Sequence, residues 1–288
     1  MTLFETLAAA RHQLIAAGIP ADDAAVDVPL FACTILGWDR ARLIAERSHA
    51  APASLEPQFS QWIARRIAHE PTAYIVGRRE FWGLDFAVTP AVLIPRPETE
   101  LIVEEALAIV RASAIDAPVI ADIGTGSGNL AISIAHSIAS ARVVATDVSA
   151  DALVVARRNA HTHDVERRIT FVETTYLDGI EDSFDVIVAN PPYVKAGDRP
   201  ALSRGVLHEP HVALFGGDHG LVAVEGVLDA AVRSLVRGGW LAMEFGFGQG
   251  DDVQALVEAR PALRLDRTRA DLQGIARTAI IQRGERGG

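Results

Sequence analysis

Along the first ~75 residues, hydrophobic positions recur at helical spacing and show no period-two alternation. Leu3, Leu7, Leu14 and Ile15 fall near one helical face. Gly18-Ile19-Pro20 breaks the pattern. Asp22 or Asp23 can cap a second helix running toward Leu36, with Gly37 as its C-terminal stop. Two more helices are expected, from Asp39 to about Glu46 and from Ser54 to about His69. Nothing in this stretch looks catalytic, so it reads as a small helical bundle and as a candidate docking module. The texture changes between Tyr74 and Ile94. Phe81-Trp82-Gly83-Leu84-Asp85-Phe86-Ala87-Val88 sets a Gly-centred turn between apolar stretches, which predicts a hairpin. Next, in Ile94-Pro95-Arg96-Pro97-Glu98-Thr99-Glu100, Pro97 suits a first helical turn and the glutamates favour its positive end. A helix should run from there to about Ala112.

From Val119 onward, short apolar runs alternate with amphipathic ones. Strands are expected at 118–122, 141–147, 169–172, 184–189, 240–245 and 277–282. Helices are expected at 129–137, 150–161, 220–236 and 251–259. Such alternation implies an α/β, doubly wound sheet with helices on both faces. Ligands in these sheets bind beyond the carboxyl ends of the strands. The expected organisation is a helical domain over 1–75, a hairpin linker over 76–95 and an α/β domain over 96–284. The tail 283–288 is expected to be disordered.

Composition narrows the class. The chain has 288 residues, 49% hydrophobic and 22% charged, which is a globular balance. Its formal charge is 27 − 37 = −10. An acidic average argues against a dedicated duplex-DNA binder, and no direct nucleic-acid binding is expected. The pairs Arg65-Arg66, Arg78-Arg79 and Arg157-Arg158 are the candidates for a local basic patch. A single cysteine, Cys33 in the apolar run 30–33, fits a reducing cytoplasm and reads as a buried small hydrophobe. No Cys/His cluster has metal-ligand spacing, so no metal is expected. The N-terminus carries no signal-peptide pattern, and no apolar run approaches the ~18 residues that span a bilayer.

Two motifs carry chemistry. Asp122-Ile123-Gly124-Thr125-Gly126-Ser127-Gly128-Asn129 links the first strand of the alternating region to its helix. Its glycines let the backbone turn sharply and approach a ligand. Asp147 ends the next strand, where an acidic residue can accept hydrogen bonds from ribose hydroxyls. Both features also suit a nicotinamide-dinucleotide enzyme, although the spacing here is Gly-x-Gly-x-Gly. Asn190-Pro191-Pro192-Tyr193, at the end of the fourth strand, separates the two readings. A dehydrogenase has no use for it. An amide or aryl-amine nitrogen is a poor nucleophile and must be held for in-line attack on a methyl sulfonium. The Asn190 side-chain oxygen and the Pro191 carbonyl can accept its two N–H bonds and favour the charge that develops. The prolines restrict the backbone that carries these acceptors, and the Tyr193 ring can stack on a flat group. The residues thus point to a methyltransferase using S-adenosylmethionine and releasing S-adenosylhomocysteine.

The sequence resembles the HemK/PrmC protein-(glutamine-N5) methyltransferases over nearly its whole length. The resemblance is carried by Glu70 to Gly77, Ile94 to Glu100, Asn190 to Tyr193, Glu209 to Leu214 and Gly217 to Leu221. It implies a Rossmann-like class I methyltransferase fold with a small N-terminal helical domain. It also implies a substrate, the glutamine of the Gly-Gly-Gln motif of class 1 peptide chain release factors. By the same resemblance, Gly124, Thr125, Gly126, Ser127 and Gly128 hold the methionine part of the cofactor and Asp147 its ribose. Tyr176 falls near the adenine, and Asn190 faces the methyl group and binds the substrate amide. Thr175 stands where the family commonly has an acidic residue, and Gly274-Ile275-Ala276-Arg277 departs from its usual C-terminal run. Rival readings are a ribosomal-protein glutamine methyltransferase, an adenine-N6 nucleic-acid methyltransferase and a non-enzymatic binding module on the same fold.

Overall fold

The computed structural model describes residues 1–284. The chain divides into two compact units, one of Met1–Gly77 with Ser203–His208, the other of Arg78–Leu202 with Glu209 onward.

The first unit contains α1 (Leu3–Ala16), α2 (Ala21–Leu36), α3 (Arg40–Ala45), α4 (Gln58–Ile67) and α5 (Thr72–Val76). A reciprocal capping box starts α1: Thr2 Oγ1 accepts from the Glu5 N–H, and the Glu5 carboxylate accepts from the Thr2 N–H. Gly37 ends α2 at φ 64°, as its position predicts. Asp22 and Asp23 do not cap α2. Pro20 occupies that position without a side-chain bond, and both aspartates lie in the first turn, where the helix dipole favours them. The fourth helix starts later than Ser54 because a 3₁₀ turn, Ala53–Leu55, precedes it. Leu14, Phe31, Leu55, Phe59 and Ile63 form the centre of the core, and Cys33 packs against it half-buried. Asp27 is buried and accepts from Arg66 Nε and Thr72 Oγ1, both at 2.7 Å. A buried carboxylate needs such partners. Arg65 is paired with Glu70, so this arginine pair is committed to the unit's own carboxylates.

The second unit opens with a hairpin, β1 (Arg78–Phe81) and β2 (Leu84–Ala87). Trp82 and Gly83 both have positive φ, 56° and 72°, which suits a tight I′-type turn. The sheet strands are β3 (Val119–Ile123), β4 (Arg142–Asp147), β5 (Ile169–Glu173), β6 (Phe184–Ala189), β7 (Leu235–Glu244), β8 (Leu263–Ala270) and β9 (Ala276–Arg283). They form one sheet in the order β5-β4-β3-β6-β7-β9-β8, parallel from β5 to β7 and antiparallel at β9 and β8. The helices are α6 (Glu100–Ala112), α7 (Asn129–Ser137), α8 (Ala150–Thr162), α9 (His211–Leu214), α10 (Val222–Ser234) and α11 (Gly250–Glu258).

Period-two alternation assigns the two faces. Ile120, Val186, Val188, Ala242 and Ile280 pack with α6, α7, α8 and the hairpin's Phe81 and Phe86. Ala121, Ile187, Ala189, Leu241, Met243 and Ile281 pack with α10 and α11 on the other side. The helices following the neighbouring strands β3 and β6 therefore lie on opposite faces. The loops leaving those strands diverge, and the crevice between them is where this architecture accepts ligands.

Three further expectations are corrected in the second unit. Strand β7 starts at Leu235 directly after α10, where a helix through Val236 and a strand from Trp240 were expected. Strand β8 was not foreseen: Arg264, Asp266, Arg267 and Arg269 hide its apolar positions, as suits an edge strand. In the expected disordered tail, Arg283 instead completes β9 and donates to the Leu235 carbonyl. Residues 285–288 of that tail lie outside the described residues.

Candidate active site

At the carboxyl ends of β3, β4 and β6 the second unit encloses a cavity of about 220 Å³. Gly124 to Ser127, Asp147, Tyr176 and Asn190 to Pro192 all line it. Gly128 and Tyr193 complete the two motifs but are not among its lining residues.

The glycine loop is shaped by backbone demands. Gly124, Gly126 and Gly128 have φ of 72°, 55° and 82°, a region that side-chain-bearing residues avoid. A Cβ on Gly128 would lie 2.7 Å from Ile132 Cδ1 and 3.2 Å from Ala156 Cβ, so this glycine sets how closely the loop meets α7 and α8. Asn159, buried on α8, donates to the Ser127 carbonyl at 2.8 Å and exchanges two bonds with Ala87 of the hairpin. Hairpin and glycine loop are thereby fixed together. Beneath the loop, the fully buried Asp122 accepts from Thr125 Oγ1 at 2.6 Å and from the Ala131 N–H at 3.1 Å. Its other oxygen has no partner, and burial lifts its pKa to about 7.

Asp147 closes the loop from β4, accepting from the Gly126 N–H and the Ser149 N–H, each at 2.9 Å. A carboxylate has about four acceptor sites, so hydroxyls can still be accepted there. Burial raises its pKa, against the pull of those backbone N–H groups. Tyr176 stands at φ 52° with its carbonyl accepting from Thr146 Oγ1 at 2.7 Å. Its ring passes over Gly226 of α10, where a Cβ would meet Tyr176 Cζ at 2.0 Å.

The Asn-Pro-Pro-Tyr segment is clasped from behind. The Val194 N–H donates to the Leu214 carbonyl and the Gly216 N–H to the Val194 carbonyl, both at 2.9 Å. Gly216 and Gly220 press so close that a Cβ on either would lie 2.4 Å from the Pro192 and Tyr193 carbonyls respectively. Gln249 donates to the Tyr193 and Gly220 carbonyls at 3.2 and 3.3 Å. Asn190 Nδ2 donates to Thr99 Oγ1 at 3.0 Å, and Thr99 Oγ1 donates to Glu244 Oε2 at 2.7 Å. The Tyr193 hydroxyl donates to Glu244 Oε1 at 3.1 Å. Burial raises both the Glu244 carboxyl and the Tyr193 phenol, and Tyr193 is raised further by the neighbouring Glu244 charge. Buried Glu209 accepts from the Ile94 N–H at 3.0 Å and pairs with Arg96, which lines the cavity.

Sequence reasoning did not single out Thr99, Glu244, Gln249 or Asn159, and it gave Glu209 no role. Thr99 and Glu209 lay within the quoted motifs. Glu244 carried a signal of its own, a carboxylate directly after the apolar run Trp240 to Met243 at the end of β7. Among the described residues, no group of His, Cys, Asp or Glu could hold a metal ion.

A Gly-rich loop, a strand-end carboxylate and an Asn-Pro-Pro-Tyr segment around one crevice of such a sheet define the class of S-adenosylmethionine-dependent methyltransferases. Similarity to known proteins agrees. The methyltransferase small domain matches residues 106–227, and the PrmC N-terminal domain matches residues 5–77. The chain is 41% identical to the release factor glutamine methyltransferase of Bradyrhizobium diazoefficiens, over 91% of this chain and 89% of that one. It is 39% identical to the protein of that name from Moorella thermoacetica, over 99% of this chain and all of that one. A methyltransferase structure from Pyrococcus furiosus, 19% identical, superposes with a TM-score of 0.52 over 78% of this chain and 99% of that one, a likeness of fold. The chain belongs to the release factor glutamine methyltransferase family.

Proposed function

We propose that this enzyme methylates the side-chain amide nitrogen (N5) of the glutamine in the Gly-Gly-Gln motif of class 1 peptide chain release factors, and so modulates translation termination. The supporting observation is one cavity shared by the glycine loop, Asp147 and the Asn190 amide, in a chain of this family.

When bound, S-adenosylmethionine supplies an electrophilic methyl sulfonium. The residues present fit it. The backbone of Gly124 to Gly128 holds the methionine portion, and open space at Gly124 and Gly126 leaves room for it. Asp147 has acceptor capacity left for ribose hydroxyls, and the Tyr176 ring offers a flat wall to adenine. Asn190 Oδ1 and the Pro191 carbonyl accept the two N–H bonds of the substrate amide. The nitrogen is thereby aimed in line, and positive charge on it is stabilised as it grows. No strong base is required, because the methylated nitrogen is acidic enough to release its proton to water. Tyr193 acts from behind, through its bond to Glu244.

The helical unit at 1–75 is the docking module for the factor, with the α/β unit carrying the chemistry. It has no chemistry of its own, so a whole factor should be a better substrate than a short peptide. A ribosomal-protein glutamine remains the second candidate, since the same site would serve it. Mass spectrometry decides. A purified release factor incubated with enzyme and cofactor should gain one methyl on the Gly-Gly-Gln glutamine, and none with Asn190→Ala. An unmodified factor alongside a methylated ribosomal protein would overturn the choice of substrate.

A further inference from the structure

Asn190 has to present its oxygen, not its NH₂, to an incoming amide. The two orientations of an Asn side chain are nearly equal in shape, so only hydrogen bonding selects between them. We infer that Thr99 and Glu244 are positioning residues that lock the Asn190 amide with Oδ1 turned to the substrate. This rests on the glutamine reading above.

The polarity of the chain of bonds carries the inference. An ionised carboxylate only accepts, so Glu244 draws the Thr99 hydroxyl proton onto Oε2 and the Tyr193 proton onto Oε1. With its proton committed, Thr99 Oγ1 faces Asn190 as an acceptor. The group meeting it at 3.0 Å must then be the Nδ2 donor. The opposite orientation would set two lone pairs against each other. One N–H of Nδ2 is held by Thr99, which fixes the orientation of the amide, and Oδ1 is left to accept from the substrate. Thr99 and Glu244 are both buried, so water does not compete for these bonds. The elements involved are far apart in sequence: Thr99 precedes α6, Asn190 follows β6 and Glu244 ends β7. Such a relay is not a by-product of local turn geometry. Thr99 also lines the cavity beside Asn190. It is the N-cap residue of α6, yet its hydroxyl makes no capping hydrogen bond and turns to Glu244 instead.

The test compares wild type, Thr99→Val and Thr99→Ser in methyl transfer to the release factor, with turnover and cofactor KM measured separately. Valine keeps the shape of threonine and removes the relay. Its kcat should fall by roughly 10- to 100-fold, the scale of a lost or misaligned catalytic hydrogen bond. The KM for S-adenosylmethionine should stay within about twofold. Serine restores the hydroxyl and should bring kcat back to within about threefold of wild type. Wild-type kcat in Thr99→Val would overturn the inference while leaving the glutamine reading intact. So would a serine variant as slow as the valine one. No transfer by the wild type would overturn the glutamine reading, and the inference with it.

Discussion

Replacing Gly226 by alanine separates local propensity from site geometry. Gly226 lies inside α10, where alanine is favoured over glycine by about 1 kcal/mol. Propensity alone therefore predicts a more stable protein with an unchanged site. A Cβ there would stand 2.0 Å from Tyr176 Cζ and 2.3 Å from both Cε2 and the hydroxyl oxygen. Carbon contacts settle at about 3.5–4 Å, so the ring must retreat by about 1.5 Å. The backbone of Tyr176 cannot follow easily, because Thr146 Oγ1 holds its carbonyl at 2.7 Å. The side chain swings instead, leaving the cavity wall and its 3.4 Å contact with the Val222 carbonyl. Swinging a half-exposed ring costs little, so folding stability should change by less than about 1 kcal/mol. Losing an aromatic wall against a base costs about 1–3 kcal/mol, or roughly 5- to 150-fold in affinity. Calorimetric titration with S-adenosylhomocysteine, paired with thermal unfolding, reads both quantities. Wild-type affinity together with a raised Tm would refute the steric reasoning.

Other outcomes follow from the same site. Asn159→Ala strands the Ser127 carbonyl and both polar groups of Ala87, and should lower unfolding free energy by about 2–4 kcal/mol in urea titrations. Asp122 is neutral in both states at low pH, so its contribution is fully present below its ordinary value of 3.8 and is lost as pH rises through about 7. Well above that pH the loss reaches about 4 kcal/mol, and wild type should lose stability relative to Asp122→Asn as pH is raised in ligand-free unfolding curves. Asp147 has a raised pKa and must be ionised to accept well from ribose, so cofactor affinity should fall on the acid side at a pH above the ordinary aspartate range. Titrations at several pH values check this, and Asp147→Ala should bind weakly at every pH. Glu244 lies among Glu98, Thr99, Tyr193 and Arg277, and burial raises its carboxyl. Saturated kcat should therefore decline as acid protonates it, and a pH profile flat down to the ordinary glutamate range would contradict this.

Much of the architecture was legible because one physical signal dominated each element. Strands β3 and β6 are short apolar runs buried on both faces, and their ends at Gly124 and Asn190 were readable from the motifs that follow. Helix α7 has the bounds its pattern predicts, Asn129 to Ser137. Elements whose signal is tertiary were missed. Arg267 and Arg269 of β8 pair with Glu104 and Glu105, ion pairs that bring together segments more than 150 residues apart. At the site, Gly124 and Asn190 could be named because their motifs are contiguous, Asp147 because it ends the neighbouring strand, and Tyr176 only through the family resemblance. Their support could not. Glu244 meets Thr99 across 145 residues of chain, and Glu209 meets Ile94 across 115. Tyr193 illustrates the limit: its place in the motif suggested a stacking ring, and the bond from its hydroxyl to Glu244 was not readable there.

The central claim is that a planar amide nitrogen receives the methyl group. Acid hydrolysis of the modified Gly-Gly-Gln peptide tests it most directly. We expect free methylamine and an ordinary glutamate, in equal amounts, and ammonia with no methylamine after reaction with Asn190→Ala. Methanol in place of methylamine would place the methyl on oxygen and contradict the role given to Asn190.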